Sequence, residues 1–168
     1  HRSLLFVPAS RPERFDKALA AGASAVIIDL EDAVAPPDKY AARAALAAWL
    51  QPHHAVIVRI NSADTAWFAD DLALCAAPGV AGVMVPKAET VDSLRRVAEA
   101  IGAGCAVLPL IESVAGLDAA DALASARQVQ RLAFGNLDVQ VDLVLACAPD
   151  EAELVPVRRA VVLASRRA

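Results

Sequence analysis

The sequence predicts an α/β fold of parallel strands alternating with helices, and three observations carry that expectation. First, six short apolar runs recur along the 168 residues, starting 21 to 30 positions apart. Second, several runs are continuous rather than alternating, such as Val26-Ile27-Ile28 and Val56-Ile57-Val58. Continuous β-branched runs suit strands covered on both faces, as in parallel sheets. Third, the stretches between the runs carry helical spacing and helix punctuation, so each strand–helix pair reads as a right-handed βα unit.

Taken in order, the strands are expected at 4–7, 25–29, 55–60, 82–85, 106–111 and 131–134. The first helix is expected over 12–21, with Pro12 near its start and Gly22 just past its end. The second, over 38–50, places Tyr40, Ala44, Ala47 and Ala48 at helical spacing. A polar loop over 61–71 leads into a short helix ending near Pro78-Gly79. Thr90 opens a helix through Leu94, Val97, Ala98 and Ile101 that stops at Gly102, and further helices are expected over 117–126 and 155–167. Arg158, Arg159, Arg166 and Arg167 are expected on the solvated face of the last helix, and His53 and His54 in a surface loop before the third strand. Two architectures fit this succession: a closed (β/α)₈ barrel or an open doubly wound sheet.

Composition narrows the function. Nearly a quarter of the chain is alanine, aromatic residues are 4% and charged residues 21%, which describes one ordinary globular domain over 1–168. A net charge of −4 and a pI near 5.3 supply no basic footprint for nucleic acid. No apolar run reaches the roughly 18 residues of a membrane span. Cys75, Cys105 and Cys147 are widely spaced with no metal-binding pattern, the usage of a reduced, cytoplasmic protein. Dinucleotide, P-loop and nucleophile-elbow motifs are absent.

Polar residues gather where the strands end, which is where parallel α/β proteins build their sites. The second run ends in Asp29-Leu30-Glu31-Asp32, the third in Arg59-Ile60-Asn61, the fourth in Pro86-Lys87, the fifth in Glu112-Ser113, and the sixth in Gly135-Asn136-Leu137-Asp138. Taken singly, each has a bland explanation: a lone acid is usually a cap and a lone lysine a solvated loop residue. Three carboxylates in four residues, however, repel one another unless cations compensate them, and a guanidinium following a buried run must find anions.

The chemistry this set suits is a divalent cation site. Glu112 and Asp138 supply two oxygen ligands, too few to enclose an ion, and Mg²⁺ accepts one or two carboxylates while keeping places for water and substrate oxygens. Oxygen donors without His or Cys favour Mg²⁺, or Mn²⁺, over zinc. Arg59 would hold a carboxylate or carbonyl oxygen of the substrate, with Lys87 as a further candidate contact. Asp29, Glu31 and Asp32 are candidates for ordering water or transferring protons. Gly135 lets backbone approach a ligand closely, and the amides of Asn136 and Leu137 could bind a carboxylate.

Six segments in this order resemble the citrate lyase β-subunit-like proteins of the HpcH/HpaI aldolase superfamily: Ser3-Leu4-Leu5-Phe6-Val7-Pro8, Asp29-Leu30-Glu31-Asp32-Ala33-Val34, Arg59-Ile60-Asn61, Pro86-Lys87, Leu110-Ile111-Glu112-Ser113 and Phe134-Gly135-Asn136-Leu137-Asp138. The resemblance implies a TIM-type (β/α)₈ barrel, of which about six units are present and the C-terminal part is absent. It implies Mg²⁺-dependent carbon–carbon cleavage in a 3-hydroxyacyl-CoA thioester, with Glu112 and Asp138 as metal ligands and Arg59 as the substrate-orienting arginine. The Gly135–Asp138 backbone would hold the carboxylate of an α-keto acid, and Arg11, Arg14 and Lys17 would meet the CoA phosphates. It further implies homo-oligomers, as trimers or hexamers. Pyruvate-type aldolases of the superfamily carry His where this chain has Asp32, a departure that points to the acyl-CoA lyases. Two rival expectations stand beside this one: a class II aldolase or decarboxylase acting on free keto acids such as oxaloacetate, and a non-catalytic subunit of a lyase complex.

Overall fold

The computed structural model describes residues 3–168. Contact density divides the chain into two compact units, His1–Met84 with Ala100–Cys105, and Val85–Glu99 with Ala106–Ala168. Each is taken by itself.

In the first unit, β1 (Leu4–Pro8), β2 (Ala25–Asp29), β3 (Val56–Arg59) and the start of β4 (Val80–Val85) form a parallel ladder in sequence order. Asp29 lies opposite Pro8 on one side and Arg59 on the other, so the charged ends of β2 and β3 are brought level by the register. Val26, Ile27 and Ile28 are all buried, as a strand covered on both faces requires. The first predicted helix is a 3₁₀ turn over Pro12–Arg14 followed by α1 (Phe15–Ala20). Proline at the first position favours a tight start because it has no N–H to satisfy. Helix α2 (Lys39–Trp49) is preceded by a second such turn at Pro36–Asp38, and α3 (Phe68–Cys75) follows the loop after β3. Gly79, at φ +99°, closes the α3–β4 turn, and a Cβ there would fall 2.2 Å from the Gln51 carbonyl oxygen, so no other residue fits.

In the second unit, β5 (Ala106–Ile111) pairs in parallel with β6 (Ala133–Phe134), which is two residues shorter than expected. Helix α4 (Val91–Ala100) begins after Thr90, whose hydroxyl accepts from the Ser93 N–H. The next helical stretch is two short pieces, α5 (Val114–Asp118) and α6 (Ala120–Ala124). Ser113 caps α5 by accepting from the Gly116 N–H at 3.1 Å. Helix α7 (Asn136–Asp142) follows β6, a helix the sequence reading did not name, and α8 (Val155–Arg167) is the last element. Strands that run parallel within each unit, each followed by helix, make this an α/β fold with the succession of a TIM-type barrel.

Two peripheral expectations resolve differently. His53 is exposed and His54 half-buried, stacked on Trp49 at 3.8 Å between ring centres, as suits a surface turn. Arg158, expected in solvent, is half-buried, ion-paired with Glu151 and set over the Phe134 ring at 6.0 Å. Arg159, Arg166 and Arg167 are exposed, with Arg167 reaching Asp121 at 3.0 Å.

Candidate active site

In the first unit the predicted charges meet. Arg59 donates from Nε to Asp29 Oδ1 at 2.8 Å and from Nη2 to Asp29 Oδ2, a two-pronged contact. Its Nη1 lies 3.0 Å from Glu31 Oε2 and 3.4 Å from Asp32 Oδ2. The Phe6 ring faces the guanidinium at 5.4 Å. Burial works against the arginine's charge, but the Asp29 hydrogen bonds and the three carboxylates outweigh it and hold its pKa above the ordinary guanidinium range.

Behind this quartet stands a layer of which sequence reasoning had singled out only Asn61. Lys39, on α2, is buried, and its Nζ donates to the Leu30 and Glu31 carbonyl oxygens at 2.8 Å each while facing the Trp67 ring at 5.1 Å. Burial, only partly offset by Glu31 and Asp29, lowers its pKa. Asn61 donates from Nδ2 to the Leu30 carbonyl at 3.0 Å and to Asp71 Oδ2 at 2.7 Å. Asp71 has no exposed surface and also accepts from the Asn61 N–H at 2.9 Å and from Arg43 Nε at 2.8 Å. The acidic turn after β2 is therefore pinned from beneath by a lysine and an asparagine, and its carboxylates are aimed at Arg59 by backbone fixed elsewhere.

In the second unit Glu112 is 4% exposed at the end of β5. Its Oε1 accepts from the Lys87 N–H at 2.7 Å. Lys87 adopts φ +46°, which turns its amide toward Glu112 while its side chain stays exposed. A Cβ on Gly135 would fall 2.9 Å from both Cβ and Oε2 of Glu112. Only glycine leaves the carboxylate its place. Asp138 is exposed in the first turn of α7, three positions past Gly135. Asn136 donates from Nδ2 to Glu151 Oε1 at 2.7 Å, and Leu137 is largely exposed. The Arg158 hydrogen bond lowers the Glu151 pKa, so this carboxylate faces the amide as an acceptor.

The donor chemistry fits magnesium. Glu112 and Asp138 offer oxygen donors alone, the donor type that a weakly enclosed, hydrated Mg²⁺ takes. Among the described residues, no group of three or more His, Cys, Asp or Glu gathers as a metal site. The remaining candidates lie around the first 3₁₀ turn and α1 of the first unit. Arg11 pairs with Glu13 at 2.7 Å and Arg14 reaches the same carboxylate at 3.9 Å, while Lys17 is exposed.

A family model described as HpcH/HpaI aldolase/citrate lyase matches residues 2–168. The chain belongs to this family. It is 34% identical to a citrate lyase subunit beta-like protein of Deinococcus radiodurans over 98% of this chain and 62% of that protein. It is 33% identical to a (3S)-malyl-CoA thioesterase of Cereibacter sphaeroides over 89% of this chain and 53% of that one. The chain thus spans between half and two thirds of the length of these relatives. Among solved structures, it is similar to the citrate lyase beta subunit of M. tuberculosis complexed with oxaloacetate and magnesium, with TM-score 0.86 and 36% identity over 98% of this chain and 73% of that chain. It is also similar to M. tuberculosis CitE in complex with magnesium, acetoacetate and coenzyme A, with TM-score 0.85 and 37% identity over 98% of this chain and 61% of that chain.

Proposed function

We propose that this protein is a Mg²⁺-dependent carbon–carbon lyase acting on a 3-hydroxyacyl-CoA thioester of the citryl-, malyl- or citramalyl-CoA type. One observation carries the reading: a buried Glu112 whose carboxylate has room only because residue 135 is glycine. Family membership and the magnesium, keto-acid and CoA complexes of the M. tuberculosis relative support it.

In this reading Glu112 and Asp138 hold the ion, which when bound supplies Lewis-acid polarisation of a substrate oxygen. Arg59 orients the substrate through a carboxylate or carbonyl oxygen, with Lys87 as a further contact. The amides of Asn136 and Leu137 donate to the carboxylate of the keto-acid portion beside Gly135, whose own N–H is held by the Ile111 carbonyl oxygen at 2.9 Å. A carboxylate of the Asp29, Glu31, Asp32 group takes the hydroxyl proton. As the C–OH becomes C=O, the adjacent C–C bond breaks, its electron pair passes to the α-carbon of the thioester, and the α-keto acid or glyoxylate departs. Arg11, Arg14 and Lys17 meet the CoA phosphates, and the protein assembles as a homotrimer or hexamer. The cysteines, two of them buried and none in a disulfide among the described residues, suit a reducing cytoplasm.

The test is Glu112→Ala and Asp138→Ala in the full chain, assayed for keto-acid release and for free CoA with magnesium varied. Both variants lose magnesium dependence and most cleavage; full activity in both overturns the assignment. Because some relatives are thioesterases, CoA release without keto acid would redirect the reading to thioester hydrolysis.

A further inference from the structure

The contacts of Arg59 leave little room for a substrate. Its Nε and Nη2 edge is taken by Asp29, and the Phe6 ring faces the guanidinium. Nη1 is shared by two acids of very different standing. Glu31 is 9% exposed at its side chain, its N–H donates to Asp29 Oδ1 at 2.8 Å, and its carbonyl is held by Lys39. Asp32 is 64% exposed, makes the longest contact at 3.4 Å, and sits one residue beyond the clamp. Asp29 and Glu31 cannot withdraw without dismantling buried structure, whereas Asp32 can swing into water at little cost, since an exposed ion pair contributes only about 0.2–1 kcal/mol.

We propose that Asp32 is a placeholder for the substrate: its carboxylate occupies the Arg59 Nη1 position that a substrate carboxylate or keto oxygen takes, and binding displaces it into solvent. This rests on the reading of Arg59 as the substrate-orienting group. The ligand class it implies is a small organic anion that presents one oxygen end-on to a guanidinium already held by Asp29 and Glu31. Until that anion arrives, Asp32 stands as an internal competitor, and its repulsion of the incoming negative charge adds to the competition.

The consequence runs against the usual effect of removing a polar residue from a binding site. Asp32→Asn and Asp32→Ala bind an anionic ligand more tightly, while Asp32→Glu, which keeps the competing charge, does not. The probe is oxaloacetate titrated into the full chain with saturating magnesium and followed by calorimetry, beside Arg59→Lys. Asp32 is exposed, so its variants keep the fold, which a thermal melt verifies. The expected result is a Kd about two- to fivefold smaller for Asp32→Asn and Asp32→Ala, a Kd no smaller than wild type for Asp32→Glu, and at least tenfold weaker binding for Arg59→Lys. Unchanged or weaker binding in Asp32→Asn, with Arg59→Lys still impaired, overturns the placeholder and leaves the role of Arg59 standing. Wild-type binding by Arg59→Lys overturns that role and the placeholder with it.

Discussion

Gly135→Ala isolates the metal-site geometry from every other property of the chain. Gly135 has φ −98° and ψ 92°, a conformation open to alanine, so the substitution stores no backbone strain. The new methyl would stand 2.9 Å from Cβ and Oε2 of Glu112, where ordinary contact is 3.4–4 Å. The carboxylate must retreat by about half an ångström or more, against a 2.7 Å hydrogen bond from the Lys87 N–H that ties its other oxygen. A misplacement of about 1 Å costs on the order of a hundredfold in rate, so a ten- to hundredfold loss in kcat/KM is expected, roughly. Overpacking of this kind also costs about 1–3 kcal/mol of stability, a fall of roughly 2–12 °C in Tm at this chain length. The assays are keto-acid release, half-saturation by magnesium, and a thermal melt. Gly104→Ala is the control, because nothing lies within 4 Å of a Cβ there. Wild-type kcat/KM and magnesium half-saturation in Gly135→Ala would refute the argument that this glycine makes room for a metal-binding carboxylate.

Two further outcomes test the layer beneath the site and the opposite side of the first unit. Asp71→Asn removes the fully buried partner of Arg43 and leaves that guanidinium only the exposed Asp70, at 3.1 Å; breaking one side of a buried pair costs about 3–5 kcal/mol, of which an exposed pair returns about 0.2–1 kcal/mol; urea denaturation reads the loss, and a change within 1 kcal/mol or so would show the Arg43–Asp71 pair to be solvated. His54 accepts the Gln51 N–H at 3.1 Å through Nδ1, and burial together with His53 lowers its pKa below the ordinary imidazole value. A depressed folded pKa means the folded chain binds fewer protons than the unfolded one just below that ordinary value. The stabilisation is complete above about pH 6.5 and is lost as pH falls through the lower folded pKa. Melting temperature therefore declines from pH 7.5 toward pH 5 by less in His54→Gln than in wild type, and equal slopes would remove His54 as a cause.

The elements that the sequence made legible are those whose signal is local. β2 and β5 have the bounds their continuous apolar runs predicted, because a strand buried on both faces shows as an unbroken apolar run rather than an alternating one. The meeting of Arg59 with Asp29, Glu31 and Asp32 was legible as charge arithmetic, since neither a guanidinium nor three clustered acids is stable alone. Helix α7 was not legible. The helix presents a single buried residue, Val139, while Leu137 and Val141 face outward, so the apolar periodicity that marks a helix is missing.

Lys39 and Asp71 were illegible for a deeper reason. A lysine two residues after a double proline and an acid in a short helix carry the local signature of solvated surface, and in most chains that is where they lie. Their burial is decided by where α2 and α3 dock behind the ends of β2 and β3, which no window of sequence contains. Yet the need for such residues was implicit in the visible part of the site. Arg59 offers one positive charge to three carboxylates, leaving an excess of two, and a turn carrying that excess would be expected to open. The Lys39 ammonium beneath the Leu30 and Glu31 carbonyls reduces the excess to one and fixes the peptide groups from which the acids project. A site read from sequence as an unbalanced cluster thus specifies the charge and rough position of what must lie behind it, and a search for a buried cation near the end of β2 would have found Lys39.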